Sequence, residues 1–485
     1  MLQGENVMVS PTFRVRSIYD LSITKLILEN LNYALVQPLP EQSRIFKVKE
    51  KIEPYDIEIQ DVLEGYGISI EGDEEYVSAI TVLLHKHFPN SIILQHPVQL
   101  HAVYNGTTVH VNNEKNLSVV DIGENINAIL FGSNFHRGQK VVVQIKQLNI
   151  FEDQLPVCST VIHFPGQSVI LERDANFVRV SRKLPKTDRD NLFMLGKQLR
   201  PRDHGLIMRT SATKASQEAI QADIDQLVQR AEELDLLISG SSYGPGILQP
   251  GQTVAHALFV KDTKEKLTSI RSNVLPTIPQ YHWFMSYSKE LKLTTSFAEK
   301  ISSEIDGTKL SPILKELILE RDFAENSLMF LQEYRLTSPP QERILGQLSW
   351  SKDLLSIKRS FRSSRGIHFG LDVAIQQGDT SEIVTKEGSW SIHIKVYRDE
   401  NTIGEIVKII TPLELSNGGK IRYIDLGLML VKKNENVEVI DQGIINDLAE
   451  KEIISTEFKE KVSNLFDICQ KKLAQNEETI IILSD

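Results

Sequence analysis

Cysteine is scarce in this chain: Cys158 and Cys469 are the only two among 485 residues. Far apart and without local partners, they exclude a disulfide framework and a cysteine-based zinc site, and they fit a reducing cytoplasm. Long apolar runs are missing too. Nothing approaches the roughly 18 consecutive apolar residues that read as a membrane span. The opening MLQGENVMVSPTF does not read as a signal peptide, so no membrane partner is expected. Glycine patterns of the P-loop or Rossmann kind are lacking, and no small-molecule cofactor is evident. No Ser/His/Asp or Cys/His set can be assembled. Positive charge is not in excess either: 54 Lys and Arg face 64 Asp and Glu, a net charge of −10. That argues against a generally basic nucleic-acid coat, so any such contact must come from a local patch.

What is present is ordinary globular composition, 41% hydrophobic and 24% charged, in a chain long enough for about three or four domains. The periodicities predict an α+β multidomain protein. Residues 1–98 read as an α/β unit. Strands are expected in FRVRSIY (13–19), YALVQP (33–38), DIEIQDV (56–62), GISIEG (67–72) and SIILQ (91–95), with helices over 21–30 and 74–87. His85 and His87 stand two apart on the second helix and cannot chelate one metal. Residues 99–165 carry short strands broken by Asn-Gly, Gly-Thr and Gly-Ser turns, the pattern of a small closed barrel of OB type.

Residues 243–366 read as mostly helical, opened by a Pro/Gly-rich turn (243–252), with a helix over 311–336 that has Pro312 just inside its start. Tyr281, His282, Trp283, Phe284 and Tyr287 crowd the 275–293 stretch. A domain-packing plug is favoured there over a base-stacking site. Residues 367–485 predict an antiparallel β-barrel with two flanking helices, over 443–451 and 456–476.

A local basic patch exists. From Arg179 to Arg202, eight cations (Arg179, Arg182, Lys183, Lys186, Arg189, Lys197, Arg200, Arg202) stand against Asp188 and Asp190, a local charge of +6. Arg179, Arg182, Lys183, Lys197 and Arg200 are candidate contacts to a phosphate backbone. A second run, KRSFRSSR (358–365), sets four cations around Phe361. It suits phosphates plus one stacked base, or equally a solvated loop. Next to the first patch, GLIMRTSATKAS (205–216) predicts a buried strand over 206–208 that delivers Arg209 and Thr210 to its end, then a helix over 216–234. An Arg fork beside a hydroxyl, just ahead of a helix N-terminus, makes a cradle for phosphate.

Together, GQKVVVQIKQ (138–147), RVSRK (179–183) and GLIMRT resemble the ribonuclease E/G family. That family has a G-x-x-V-x-V-Q strand closing a small RNA-binding barrel, an S-R-[RK] segment, and G-L-I-x-R-T ahead of a helix. The resemblance implies an RNA-binding barrel over 99–165, with Lys146 among its contacts, and a 5′-end-sensing segment over 166–242. In that segment Arg209 and Thr210 would bind the 5′-monophosphate of RNA. Family members place base-stacking aromatics where this chain has Val119 and Ile129. Tyr104 and Phe131 are the substitutes, a core role for Phe131 being the alternative. The α/β unit beginning R-V-R-x-I-Y, this middle segment and the C-terminal barrel follow one another as in archaeal ribonuclease E/G-like proteins that bind AU-rich RNA. The resemblance implies a cytoplasmic endoribonuclease acting on AU-rich loops in the maturation or degradation of ribosomal RNA precursors.

A metal-dependent nuclease needs two or three carboxylates converging on its ions. The I-D-x-N-x strand that supplies them in ribonuclease E has no counterpart here. The C-terminal barrel resembles a module with metal-dependent nucleoside di- and triphosphate phosphatases among its members. Of their Mg²⁺ set, Asp425 and Asp441 match. Lys408, Met429 and Ile444 stand where Asn, the second Asp and a late Glu belong. The two acids could hold hydrated Mg²⁺ with Glu414, or Asp425 could cap a strand turn and Asp441 the following helix. Three readings stay open: an endoribonuclease, an AU-rich RNA-binding protein without hydrolysis, and a nucleotide phosphatase with an RNA-binding arm.

Overall fold

The computed structural model describes residues 10–49, 54–132, 134–150, 155–240, 244–302, 304–335, 338–441 and 443–483, the side chains of 338–340 and 441 excepted. The chain divides into a split unit, residues 1–95, 150–153 and 255–485, and an inserted unit, residues 96–149 and 154–254.

The split unit opens with a six-stranded sheet in the order Ala34–Leu35, Thr12–Arg16, Ile57–Val62, Gly67–Gly72, Thr253–Leu258, Ile92–Gln95. Phe13 and Val15 point inward from Thr12–Arg16 as its alternation requires, and meet Ile23, Ile27, Val77 and Ile80 from helices Asp20–Asn30 and Glu74–His87. Thr253–Leu258 corrects the expectation of a helical region from 243 onward. All six of its residues are buried, so it shows none of the alternation that marks a half-exposed strand. Gly67 admits it: a Cβ there would stand 2.2 Å from the Ala257 carbonyl oxygen.

Helices Lys261–Ser272, Tyr281–Tyr287, Lys289–Ile301 and Gly307–Asp322 follow. The aromatic stretch is a packing plug: Tyr281, Trp283, Phe284 and Tyr287 are buried against Leu331, Leu348 and Tyr423, and His282 is fully buried. The helix expected over 311–336 is in fact Gly307–Asp322, capped by Asp306, which accepts from the Thr308 N–H at 2.9 Å. Asn326 then turns the chain at φ +64°, and Leu328–Arg335 alternates as a strand with Met329 and Leu331 inward. The C-terminal barrel therefore begins at Leu328 rather than 367. Its ring runs Leu328–Arg335, Ser338–Ser351, Leu354–Ser360, Thr380–Thr385, Ser391–Arg398, Asn401–Ile410, Lys420–Lys433, and a parallel pairing of the last with the first closes it. Helices Ile444–Glu450 and Thr456–Ala474 pack Leu448, Phe458 and Val462 into the core around Trp390 and Leu430.

In the inserted unit, strands Val103–Asn112, Leu117–Gly123, Ile126–Phe131, Lys140–Gln147 and Val157–Ser159 form a second closed barrel. The ring order is first, second, third, fifth, fourth and back to first, with the third and fifth parallel. Gly246–Gln249 adds to the edge of the first strand. A four-stranded sheet follows: His163–Pro165, Val169–Arg173, His204–Met208, Val178–Val180. Helices Lys186–Leu199 and Gln217–Gly240 cover it, setting Leu192, Ile220, Ile224 and Leu227 against Leu171 and Leu206. The chain is thus mixed α and β, with two closed barrels and eleven α-helices among the described residues. None of those helices is long and apolar enough to cross a membrane.

Candidate nucleic-acid interface

Gln144, the glutamine of the G-x-x-V-x-V-Q strand, is 1% exposed and organises its surroundings within the inserted unit. Its Nε2 donates to the carbonyls of His101 (2.9 Å) and His163 (2.7 Å), and its Oε1 accepts from the His163 N–H (2.8 Å) and from the Lys146 ammonium. A buried primary amide with every hydrogen-bonding position used locks the barrel strand to the first strand of the sheet. Opposite His163 in strand register stands Glu172, whose carboxylate lies 2.8 Å from His163 Nε2.

The electrostatics here are one-sided. Burial pushes Lys146 down to about 8, against the pull of Glu172. Burial also pushes His101 down to about 4, and Lys146, His163, Arg230 and Arg209 all add to that. Burial lowers His163 as well, opposed by Glu172 and reinforced by Lys146 and Arg179. So several cations and two imidazoles feel one another, with Glu172 paired to His163 and Glu233 acting on Arg230. Such a concentration of like charge is stabilised when an anion arrives.

Arg209 and Thr210 do not sit directly ahead of an α-helix. A 3₁₀ turn, Thr210–Lys214, intervenes before Gln217–Gly240. The Arg209 guanidinium donates to the Gly166 carbonyl and its N–H donates to Ser168 O at 2.9 Å, so the residue latches the 166–168 loop. Asp223 holds the same loop, accepting from the N–H groups of Gln167 (3.1 Å), Ser168 (2.6 Å) and Val169 (3.1 Å). Gly166 is required for this approach, because a Cβ would stand 2.4 Å from Asp223 Oδ1. Thr210 is exposed.

Of the basic patch, Arg179, Arg182, Lys183 and Lys197 are exposed. Arg179 lies over Phe177 (4.1 Å to the ring centroid) and Lys197 over Phe193 (4.7 Å), a cation–aromatic presentation that leaves the charge open to a ligand. Arg200 differs. Its guanidinium donates to the carbonyls of Pro201, Arg202 and His204 at 3.0–3.1 Å and stitches its own turn. Tyr104 is half-buried against the barrel core, whereas Phe131 is 63% exposed, which excludes the core role considered for it.

In the split unit, the position expected to hold a metal ion is held by ammonium and guanidinium groups. Lys408 Nζ lies 2.6 Å from Asp425 and 3.6 Å from Glu333, and Arg335 Nε lies 2.6 Å from Glu333 and 3.9 Å from Asp425. Burial pushes the Asp425 carboxyl up, but Lys408 outweighs it and leaves the group below the ordinary carboxylate value. These residues do not fit a divalent cation, which an ammonium in the same place repels. Glu414 is likewise committed, to Lys264 (2.6 Å) and Arg422 (2.9 Å), with all three buried. Asp441 ends the strand Asn436–Asp441 opposite Leu428, and its side chain lies outside the described residues. The 358–365 run borders a cavity of about 840 Å³ with Lys358, Arg359 and Arg362 on its wall beside Tyr397.

His101, His163, Glu172 and Arg230 escaped the sequence reading. Their signal in the sequence is faint: Gln144 lies on the face of KVVVQIKQ opposite the inward Val141, Val143 and Ile145, and is buried all the same.

Residues 163–318 match the Ribonuclease E/G family. The chain is 26% identical over 457 residues to the "Probable ribonuclease FAU-1" of Thermococcus gammatolerans, covering 91% of this chain and 94% of that protein. It is 28% identical over 460 residues to the protein of the same name from Pyrococcus abyssi (91% and 94%), and 23% identical over 486 residues to that of Halobacterium salinarum (95% and 99%). Among solved structures, the complex of FomD with CDP matches at 12% identity and a TM-score of 0.25, over 32% of this chain and 88% of that one. The phosphatase SC4828 matches at 11% and 0.25, over 31% and 83%. The resemblance read from the sequence holds: over nearly its whole length this chain is similar to the archaeal proteins named probable ribonuclease, and residues 163–318 match the Ribonuclease E/G family.

Proposed function

We propose that this chain is an RNA-binding endoribonuclease. It takes single-stranded, AU-rich loops of ribosomal RNA precursors, in the cytoplasm, through the inserted unit. The observation that carries the reading is the cationic cluster around Gln144, with Lys146, Arg179, Arg209 and Arg230 near the His101 and His163 imidazoles and Glu172. The ring order of the small barrel, with its third and fifth strands parallel, supports an OB-type module, a common single-strand binder. The names of the archaeal relatives support cleavage. Arg182, Lys183 and Lys197 track the backbone, Phe131 is the exposed candidate for base stacking, and Arg209 with Thr210 reads the 5′-phosphate. Asp425 is assigned to the ion-pair network of its barrel, so hydrolysis of nucleotides there is not part of the reading.

The test is a titration of a labelled AU-rich stem-loop at several salt concentrations, followed by a cleavage assay with and without Mg²⁺. Binding that weakens log-linearly with salt, together with internal cleavage, is the expected result. Binding without any cleavage would leave an RNA-binding protein, and absence of both would sink the reading.

A further inference from the structure

We propose that the Gln144 cluster cleaves RNA by transesterification without a metal ion. The His163 imidazole accepts the proton of the ribose 2′-hydroxyl, and the Lys146 ammonium protonates the departing 5′ oxygen. This inference rests on the ribonuclease reading above and names its site and chemistry.

The geometry has the parts such a reaction needs. Glu172 lies 2.8 Å from His163 Nε2 across paired strands, so an ionised carboxylate keeps the proton on that nitrogen and leaves Nδ1 as the base. The His163 side chain is 30% exposed and that of Glu172 16%: the base is reachable and the acid that orients it sits behind. Lys146 is tied to the same Gln144 oxygen that accepts the His163 N–H, which holds base and ammonium on one anchor. His101 completes the wall. It adopts a left-handed backbone conformation at φ +64°, and its buried Nδ1 has no hydrogen-bond partner among the described residues. Strain and an orphaned polar atom in one residue mark a place shaped for something other than packing. Arg179 and Arg230 contribute to the field that draws in the phosphodiester.

The step balances without an external reagent. The 2′ O–H bond breaks, O2′ bonds to phosphorus, the P–O5′ bond breaks, and O5′ takes a proton from Lys146. The products are a 2′,3′-cyclic phosphate and a 5′-hydroxyl. His163 ends protonated and Lys146 neutral, and exchange with solvent resets both. No electrons change hands and no water is consumed.

Burial and Glu172 set the working range. Glu172, Lys146 and Arg179 bear on His163, Glu172 bears on Lys146, and His101 lies in the field of Lys146, His163, Arg209 and Arg230. The rate is therefore bell-shaped, rising as His163 loses its proton and falling as Lys146, held at about 8, loses its own.

The test uses the full chain and an AU-rich stem-loop RNA in EDTA, with product ends identified and binding followed on the same RNA carrying 2′-O-methyl groups. Wild type is expected to cut, leave cyclic phosphate, and fail wherever the scissile nucleotide is 2′-deoxy. His163→Gln and Lys146→Met are each expected to lose about 10²-fold or more in cleavage, while His163→Gln keeps binding within about twofold. Glu172→Gln is expected to move the acid limb of the pH profile to lower pH, a shift that a merely structural role would not cause.

Cleavage that requires Mg²⁺, leaves 5′-phosphate ends, or persists in His163→Gln would overturn this mechanism and leave the ribonuclease reading standing. Intact binding with no cleavage under any condition would overturn both.

Discussion

Two regions of this molecule gather charge, and they handle it in opposite ways. In the barrel core of the split unit a buried network is paired internally: Lys408 with Asp425, Arg335 and Arg343 with Glu333, Lys264 and Arg422 with Glu414. In the inserted unit Lys146, Arg179, Arg209 and Arg230 bear on His101 and His163, while Glu172 is committed to His163 and Glu233 acts on Arg230. Buried charge that is internally neutralised is complete without a ligand. Charge left in excess raises the free energy of the free protein and lowers it when an anion binds. The paired network is structural and the other cluster is the proposed binding site, although both look alike as runs of Lys, Arg, Asp and Glu in the sequence.

The largest effect is expected at Glu414. Glu414→Ala would strand the buried cations Lys264 and Arg422, and a loss of about 3–5 kcal/mol is expected. Denaturant titration should register it in the split unit, with RNA affinity of the folded protein unchanged. A loss under about 1 kcal/mol would mean that the network relaxes or hydrates.

On the other side, Arg182→Ala with Lys183→Ala should leave stability alone. It should flatten the log–log dependence of RNA affinity on salt by about one to two units. An unchanged slope would remove the patch from the interface.

Arg209 sharpens the contrast, since it both latches the 166–168 loop and adds to the cationic field. Arg209→Ala is expected to weaken binding of 5′-monophosphorylated RNA several-fold more than that of 5′-hydroxyl RNA, about 1 kcal/mol of a charge-assisted contact. Equal weakening would make Arg209 a latch alone.

The smallest effect is expected at Asp425. Asp425→Asn should leave RNA binding and cleavage within about twofold of wild type, with a modest loss of thermal stability because Lys408 keeps Glu333 as a partner. A collapse of cleavage would return the acid pair to consideration.

Much was legible from local pattern. FRVRSIY and KVVVQIKQ reveal strands because one face of each meets a core, and the turns between 101 and 147 reveal a barrel because short alternating segments must close on one another. The basic run over 179–202 is visible as composition. Its division of labour is not: Arg200 and Lys197 lie three positions apart, yet one stitches a turn and the other stands on Phe193. Thr253–Leu258 was missed because burial on both faces erases the alternation that identifies a strand. The barrel's true start at Leu328 was missed because EYRL continues the polar and apolar spacing of the helix before it, and only the turn at Asn326 separates them.

By itself, then, the sequence determined the barrels as classes, the ribonuclease-like middle and the basic patch, since each depends on residues close together in the chain. Only the tertiary structure decided which residues stand together at the proposed site. His163 faces Glu172 through strand register, and Gln144, two positions from Lys146, reaches His101 and His163 through hydrogen bonds that span 43 and 19 residues. Register and buried hydrogen bonds are set by how whole elements pack. No local spacing encodes them, so a site built from them is visible only after folding.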